Sequence, residues 1–187
     1  DGFCRWDASQ QLALQVIGDV MQAWQRKDDI ASMAIDARLI EAYRSLLQDK
    51  SLDQAMVAYM LSLPSEAYLS ELADVIDVEA IHYGRMRVRR TIAESLREEF
   101  ASIYQRYDNQ QAYAATAEAI AARSLKNVAL AYLMLLEEDQ WIHACEQQYR
   151  QANNMTDRMD ALSQLVNSRS TTWTSNPATW SLSSRSR

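Results

Sequence analysis

Breakers of regular structure are scarce in this chain: three glycines (Gly2, Gly18, Gly84) and two prolines (Pro64, Pro177) stand among 187 residues, against average usage of roughly 7% and 5%. That scarcity argues against a fold of tight turns and leaves helices with short connections. Cysteine is almost as rare. Cys4 and Cys145 lie far apart with no CxxC spacing, so neither a zinc site nor a disulfide framework is indicated, and buried free thiols in a reducing compartment are the reading. An excess of basic residues is missing too: the formal charge is −6, which argues against a nucleic-acid domain and points to a protein partner or to self. No run of 18 apolar residues and no basic-then-hydrophobic amino end is present, so nothing in the sequence is read as spanning or crossing a membrane. Because the chain opens on Asp1 rather than Met, the missing signal says nothing about localisation.

What is present is apolar residue in quantity, 48% of the chain, enough for the core of one domain or of a piece of a larger one. Its spacing is helical throughout. Trp6, Leu12, Val16, Ile17, Val20, Met21 and Trp24 recur at steps of three and four, predicting a first helix from about Asp7 to Arg26. Met33, Ile35, Leu39, Ile40, Tyr43, Leu46 and Leu47 predict a second that ends near Gln48. Ser51 with Gln54 three residues on reads as a capping pair for a third, ending around Leu63. Pro64 suits a first helical turn and opens a short helix over PSEAYLSELAD.

Asp77 caps what reads as the longest helix, Val78 to about Tyr107, about 45 Å at ~1.5 Å per residue. Asp108-Asn109 ends it, and a further long helix runs through Ala119, Leu125, Ala129 and Leu133 to Leu136. Glu137-Glu138-Asp139 breaks the stripe, followed by helices over WIHACEQQYRQA and MTDRMDALSQLV. Period-two alternation is absent and no strand is expected. The fold class is therefore all-α, an irregular stack of about eight helices in antiparallel pairs, superhelical or solenoid-like, over residues 1–167.

Chemistry needs convergent titratable groups, and few exist. His82 and His143 sit on separate helices outside any HExxH pair and read as boundary or surface residues. No glycine-rich phosphate loop, GxSxG elbow or Cys-His nucleophile pattern is found. The run Arg85, Arg87, Arg89, Arg90 could grip a phosphate or an acidic partner, but Glu94 and Glu98 nearby make a solvated, charge-laced face the reading. Tyr104, Tyr107, Trp141 and Tyr149 are spaced as core aromatics. The polar knot QANNMTDRMDAL reads as a helix corner, with Asn153 left-handed, Asn154 as N-cap and Asp157 reaching back to the cap amide. No catalytic, cofactor-binding or metal-binding residue is assigned.

Five stretches, FCRWDASQQLA, LSLPSEAYLSEL, VIDVEAIHYGR, RSLKNVALAYL and QANNMTDRMDALS, resemble in order and separation the helical carboxy-terminal domain of bacterial aminopeptidase N, an M1-family zinc metallopeptidase. The resemblance spans about Phe3 to Val166. It implies helix pairs curving into a bowl over a catalytic domain, which is the implied partner, beside a peptide substrate and a zinc ion held elsewhere. In that family the HExxH zinc helix and the GAMEN segment precede this domain, and neither has a matching position here. The chain is thus expected to be structural and gating, inactive alone and cytoplasmic, with a stand-alone helical scaffold that binds a protein as the alternative. Residues 168–187 hold eleven Ser or Thr and no acid. They read as a non-helical tail, explained by a frameshift, a cloning scar or a truncated gene product, or else by a natural flexible end. A truncated solenoid exposes the face its next layer would cover, which predicts self-association or marginal stability.

Overall fold

A computed structural model describes the backbone of residues 2–108 and 113–168, and the side chains from residue 6 onward. The described residues form nine α-helices and no strand: α1 (Gly2–Gln25), α2 (Ala37–Gln48), α3 (Gln54–Met60), α4 (Glu66–Glu71), α5 (Val78–Ser95), α6 (Arg97–Tyr107), α7 (Ala117–Leu133), α8 (Asp139–Gln151) and α9 (Met155–Asn167), with a 3₁₀ turn, Met134–Leu136, after α7. All-α architecture follows from the helical spacing of the apolar residues, and the helix starts follow from polar caps. Asp77 accepts from the Ala80 amide, as the sequence suggests. Thr116 does the same for Ala119 and Ser65 for Tyr68.

Several local expectations are corrected. The cap of α3 is Asp53, which accepts from the Ala55 and Met56 amides; Ser51 instead donates to the Asp49 carboxylate. Pro64 stands one residue before the α4 cap rather than in its first turn. The second helix begins at Ala37, capped by Asp36, so Met33 and Ile35 belong to the connection. The long helix foreseen from Val78 to Tyr107 is two helices, parted at Leu96 (φ −118°, ψ 24°). No glycine or proline marks that break. Leu96 is fully buried, and the next residue, Arg97, is held by a two-pronged clamp on Glu138 at 2.8 and 2.7 Å. The longest helix is therefore α1, which starts before Asp7. Asn109 lies outside the described residues, as do 169–187 of the tail and the Cys4 side chain.

One continuous apolar core runs through the stack, from Ile17 and Val20 of α1 through Tyr43, Ile81, Ile92, Phe100, Leu130 and Leu133 to Trp141, Cys145 and Leu165. Its closest helix pairs are α1 on α5, α3 on α7, α6 on α7 and α8 on α9. The expectation that successive helices pack as neighbours thus holds for α6–α7 and α8–α9, while α1 finds its main partner four helices on. Tight approach allows it: a Cβ built on Gly84 of α5 would lie 2.8 Å from Met21 Cγ of α1. Residues 117–136 are long and apolar enough to cross a membrane. More than half of that stretch is buried against the other helices, as suits the central helix of a packed core.

Candidate polar site at the meeting of α7, α8 and α9

The middle of α7 carries two polar residues, Lys126 and Asn127, in an otherwise apolar face. Both are buried, together with Gln148 of α8 and Asp157 of α9, each only 6% exposed. They hydrogen-bond one another, although Gln148 Oε1 is left without a hydrogen-bond partner. The Asp157 carboxylate accepts from Lys126 Nζ at 2.7 Å, from Asn127 Nδ2 at 2.9 Å and from Asn154 Nδ2 at 3.2 Å. Gln148 Nε2 donates to Asn127 Oδ1 at 2.9 Å and to the Asp157 carbonyl at 3.1 Å. A charge removed from water is tolerable only when paired and hydrogen-bonded in this way. Burial pushes the Asp157 carboxyl up, but the Lys126 ammonium and the hydrogen bonds from Asn154 and Asn127 outweigh it and hold the carboxyl below its ordinary value.

Asp160, one helical turn along, lacks such company. Its Oδ2 is sealed from solvent and has no hydrogen-bond partner. Burial first, and the Asp157 charge second, push its carboxyl up to about 6, against the pull of Arg89 and Lys126. Cys145 is buried behind the same helix, its Sγ 3.4 Å from the Ala161 carbonyl, and burial pushes the thiol up to about 12. A thiol so held stays protonated at neutral pH and is no nucleophile.

The outer side of the hub opens on a cleft of about 990 Å³, bounded by Tyr107, Tyr113, Arg123 and the α8–α9 corner residues Gln151, Asn153 and Asn154. Arg123 is already engaged, donating to the Ala114 carbonyl at 3.0 Å and standing 5.1 Å from the centre of the Tyr113 ring. The lining is polar, amides and hydroxyls together with the charged Asp108, Glu118, Arg123, Lys126 and Asp157. It can hold polar groups by hydrogen bonds but sets no base beside a nucleophile.

The polar knot of the sequence is the corner between α8 and α9, with Asn154 capping α9 by accepting from the Asp157 amide at 2.9 Å. Two details differ from expectation. Asn153 is not left-handed, since the only positive-φ residues among those described, glycine aside, are Lys27 and Glu137. Asp157 does not reach back to the cap amide; it turns inward to Lys126. The signal was visible as a lysine and an asparagine set in an apolar helix, but the partner could not be read from spacing.

The arginine run is corrected as well. Only Arg90 belongs to a solvated face, donating to Glu94 at 3.0 Å. Arg85 donates to the Pro64 carbonyl at 2.7 Å, and Arg87 to the Ile30 and Met33 carbonyls at 2.8 and 3.0 Å, bracing the α1–α2 connection against α5. Arg89 lies 5.6 Å from the centre of the Tyr132 ring. Tyr104 and Trp141 are core residues meeting edge to face, ring centres 6.2 Å apart, whereas Tyr107 and Tyr149 are only partly buried. His82 and His143 are exposed on different helices, beside Glu66 at 3.0 Å and Glu146 at 3.8 Å respectively. Among the described residues no three His, Cys, Asp or Glu side chains gather as metal ligands would.

Comparison with known proteins agrees with this architecture. Aminopeptidase N of Escherichia coli K12 is 35% identical over 164 residues, 88% of this chain. Its namesake from Haemophilus influenzae is 30% identical over 161 residues, 86% of the chain. This chain spans 18% of the length of each. Among solved structures, Legionella pneumophila aminopeptidase A in complex with aspartic acid superposes with a TM-score of 0.73 at 25% identity, covering 89% of this chain and 20% of that one. The helical stack, these relatives and a family model matching residues 1–181 agree: the chain belongs to the DUF3458_C family, a domain of unknown function built of ARM repeats.

Proposed function

We propose that this chain is the helical carboxy-terminal domain of a zinc-dependent aminopeptidase, bracing and gating a peptidase module that removes amino-terminal residues from peptides in the cytoplasm. The observation that carries this is the likeness to aminopeptidase N along nearly all of the chain while covering under a fifth of that protein. Zinc and the reacting peptide bond belong to the module, and the helices supply a rigid wall. The continuous core and the Lys126–Asp157 pair suit that task, because they lock α7, α8 and α9 into one body. Incubating the 187-residue chain with zinc and an alanyl or leucyl anilide tests the division of labour. The expected result is no hydrolysis above buffer; turnover that a chelator abolishes would overturn it.

A further inference from the structure

The acidic excess of this protein falls within one stretch of its sequence. Residues 51–84 contain no Lys or Arg and six Asp or Glu, which leaves 19 acids against 19 Lys and Arg in the rest of the chain. Four of the six, Glu71, Asp74, Asp77 and Glu79, surround the bend from α4 into α5. That bend also holds the most exposed apolar cluster: Leu72 at 57%, Val75 at 81%, Ile76 at 60% and Val78 at 71%. It stands on a firm base. Trp24 of α1 stacks on Tyr83 of α5 with ring centres 4.5 Å apart, Gln25 Nε2 donates to Asp77 at 3.3 Å, and Glu66 pairs with His82. α4 has only six residues, and beside it Val78 at the start of α5 stays exposed while Ala80 and Ile81 turn into the core.

We infer that this bend is a protein-docking surface whose occupant is an amphipathic helix, apolar on one face and flanked by Lys or Arg. Large apolar side chains grouped on a surface mark a contact site, and the acidic surround selects a basic-flanked occupant by complementary charge. A second copy of the chain would bring an equal acidic border against it, and an anionic membrane would be repelled. The inference rests on this surface and not on the peptidase reading.

The test titrates the 187-residue chain into two labelled synthetic helices of leucine-faced sequence, one flanked by lysines and the other by glutamates, followed by fluorescence anisotropy. The lysine helix should bind at least about tenfold more tightly, and the difference should fade between ~0.05 and ~0.5 M NaCl as screening sets in. V75E/I76E, at positions too exposed to disturb the fold, should abolish binding with an unchanged circular dichroism spectrum. D74K/E79K should shift preference toward the glutamate helix. Equal affinity for the two helices, binding unaffected by V75E/I76E, or comparable binding to phosphatidylserine vesicles would each overturn the proposal.

Discussion

At the scale of single residues, the α7–α8–α9 hub is where one substitution acts most strongly. Lys126→Met strands a buried carboxylate, and Asp157→Leu strands a buried ammonium, so each alone should cost about 3–5 kcal/mol. The double substitution should cost clearly less than the sum, because neither charge is then left unpaired; urea unfolding of the four proteins measures the coupling. Asp160 predicts a pH dependence of opposite sign to the usual carboxylate. Its native carboxyl takes up a proton near pH 6, above the ordinary 3.8, so between those values the folded state binds more protons than the unfolded one. Its stabilising contribution is complete below about 3.8 and disappears as pH rises through 6, with a size of about 1–3 kcal/mol. Asp157 and Glu138, both held below their ordinary values, the latter at about 2 by the Arg97 clamp, contribute stability above their unfolded pKa that is lost in stronger acid. Melting temperature should therefore peak near pH ~5. Asp160→Asn should flatten the profile between about pH 4 and 6.5, and a wild-type profile already flat there would refute the role given to Asp160.

At the scale of elements, the two helical glycines Gly18 and Gly84 separate backbone propensity from packing. A methyl group added at Gly18 would meet nothing within 4 Å, while one added at Gly84 would meet Met21 Cγ at 2.8 Å. Gly18→Ala should raise stability by about 0.5–1 kcal/mol through helix propensity alone. Gly84→Ala gains the same propensity but must displace Met21 where α1 crosses α5, at a cost of about 1–3 kcal/mol, so it should be neutral to destabilising. Combining it with Met21→Ala should remove the clash, and thermal melts of the set decide. The break at Leu96 shows the limit of local patterns: apolar spacing runs on from α5 into α6, and only the seat of Leu96 in the core and the grip of Arg97 on Glu138 divide it.

At the scale of the whole molecule, α9 buries Ala161 and Leu165 and leaves Met155, Met159 and Val166 exposed on its outer side. Spaced at steps of four and seven, they form the stripe on which a stacked helix would lie. Sedimentation velocity should show concentration-dependent association that M155K/V166K removes; a monomer across the whole range would contradict this. The sequence by itself determined the all-α class, the caps at Asp77 and Asn154, the corner between α8 and α9, and the family likeness, because caps and apolar periodicity act over a turn or two of chain. Only the tertiary structure decided that α1 packs on α5, that the foreseen long helix is two, that Arg85 and Arg87 brace neighbouring carbonyls, and that Asp157 meets Lys126. Those outcomes join residues far apart in sequence. They depend on which faces are sealed from water, since burial is what turns an ordinary lysine and aspartate into a pair that cannot be separated cheaply.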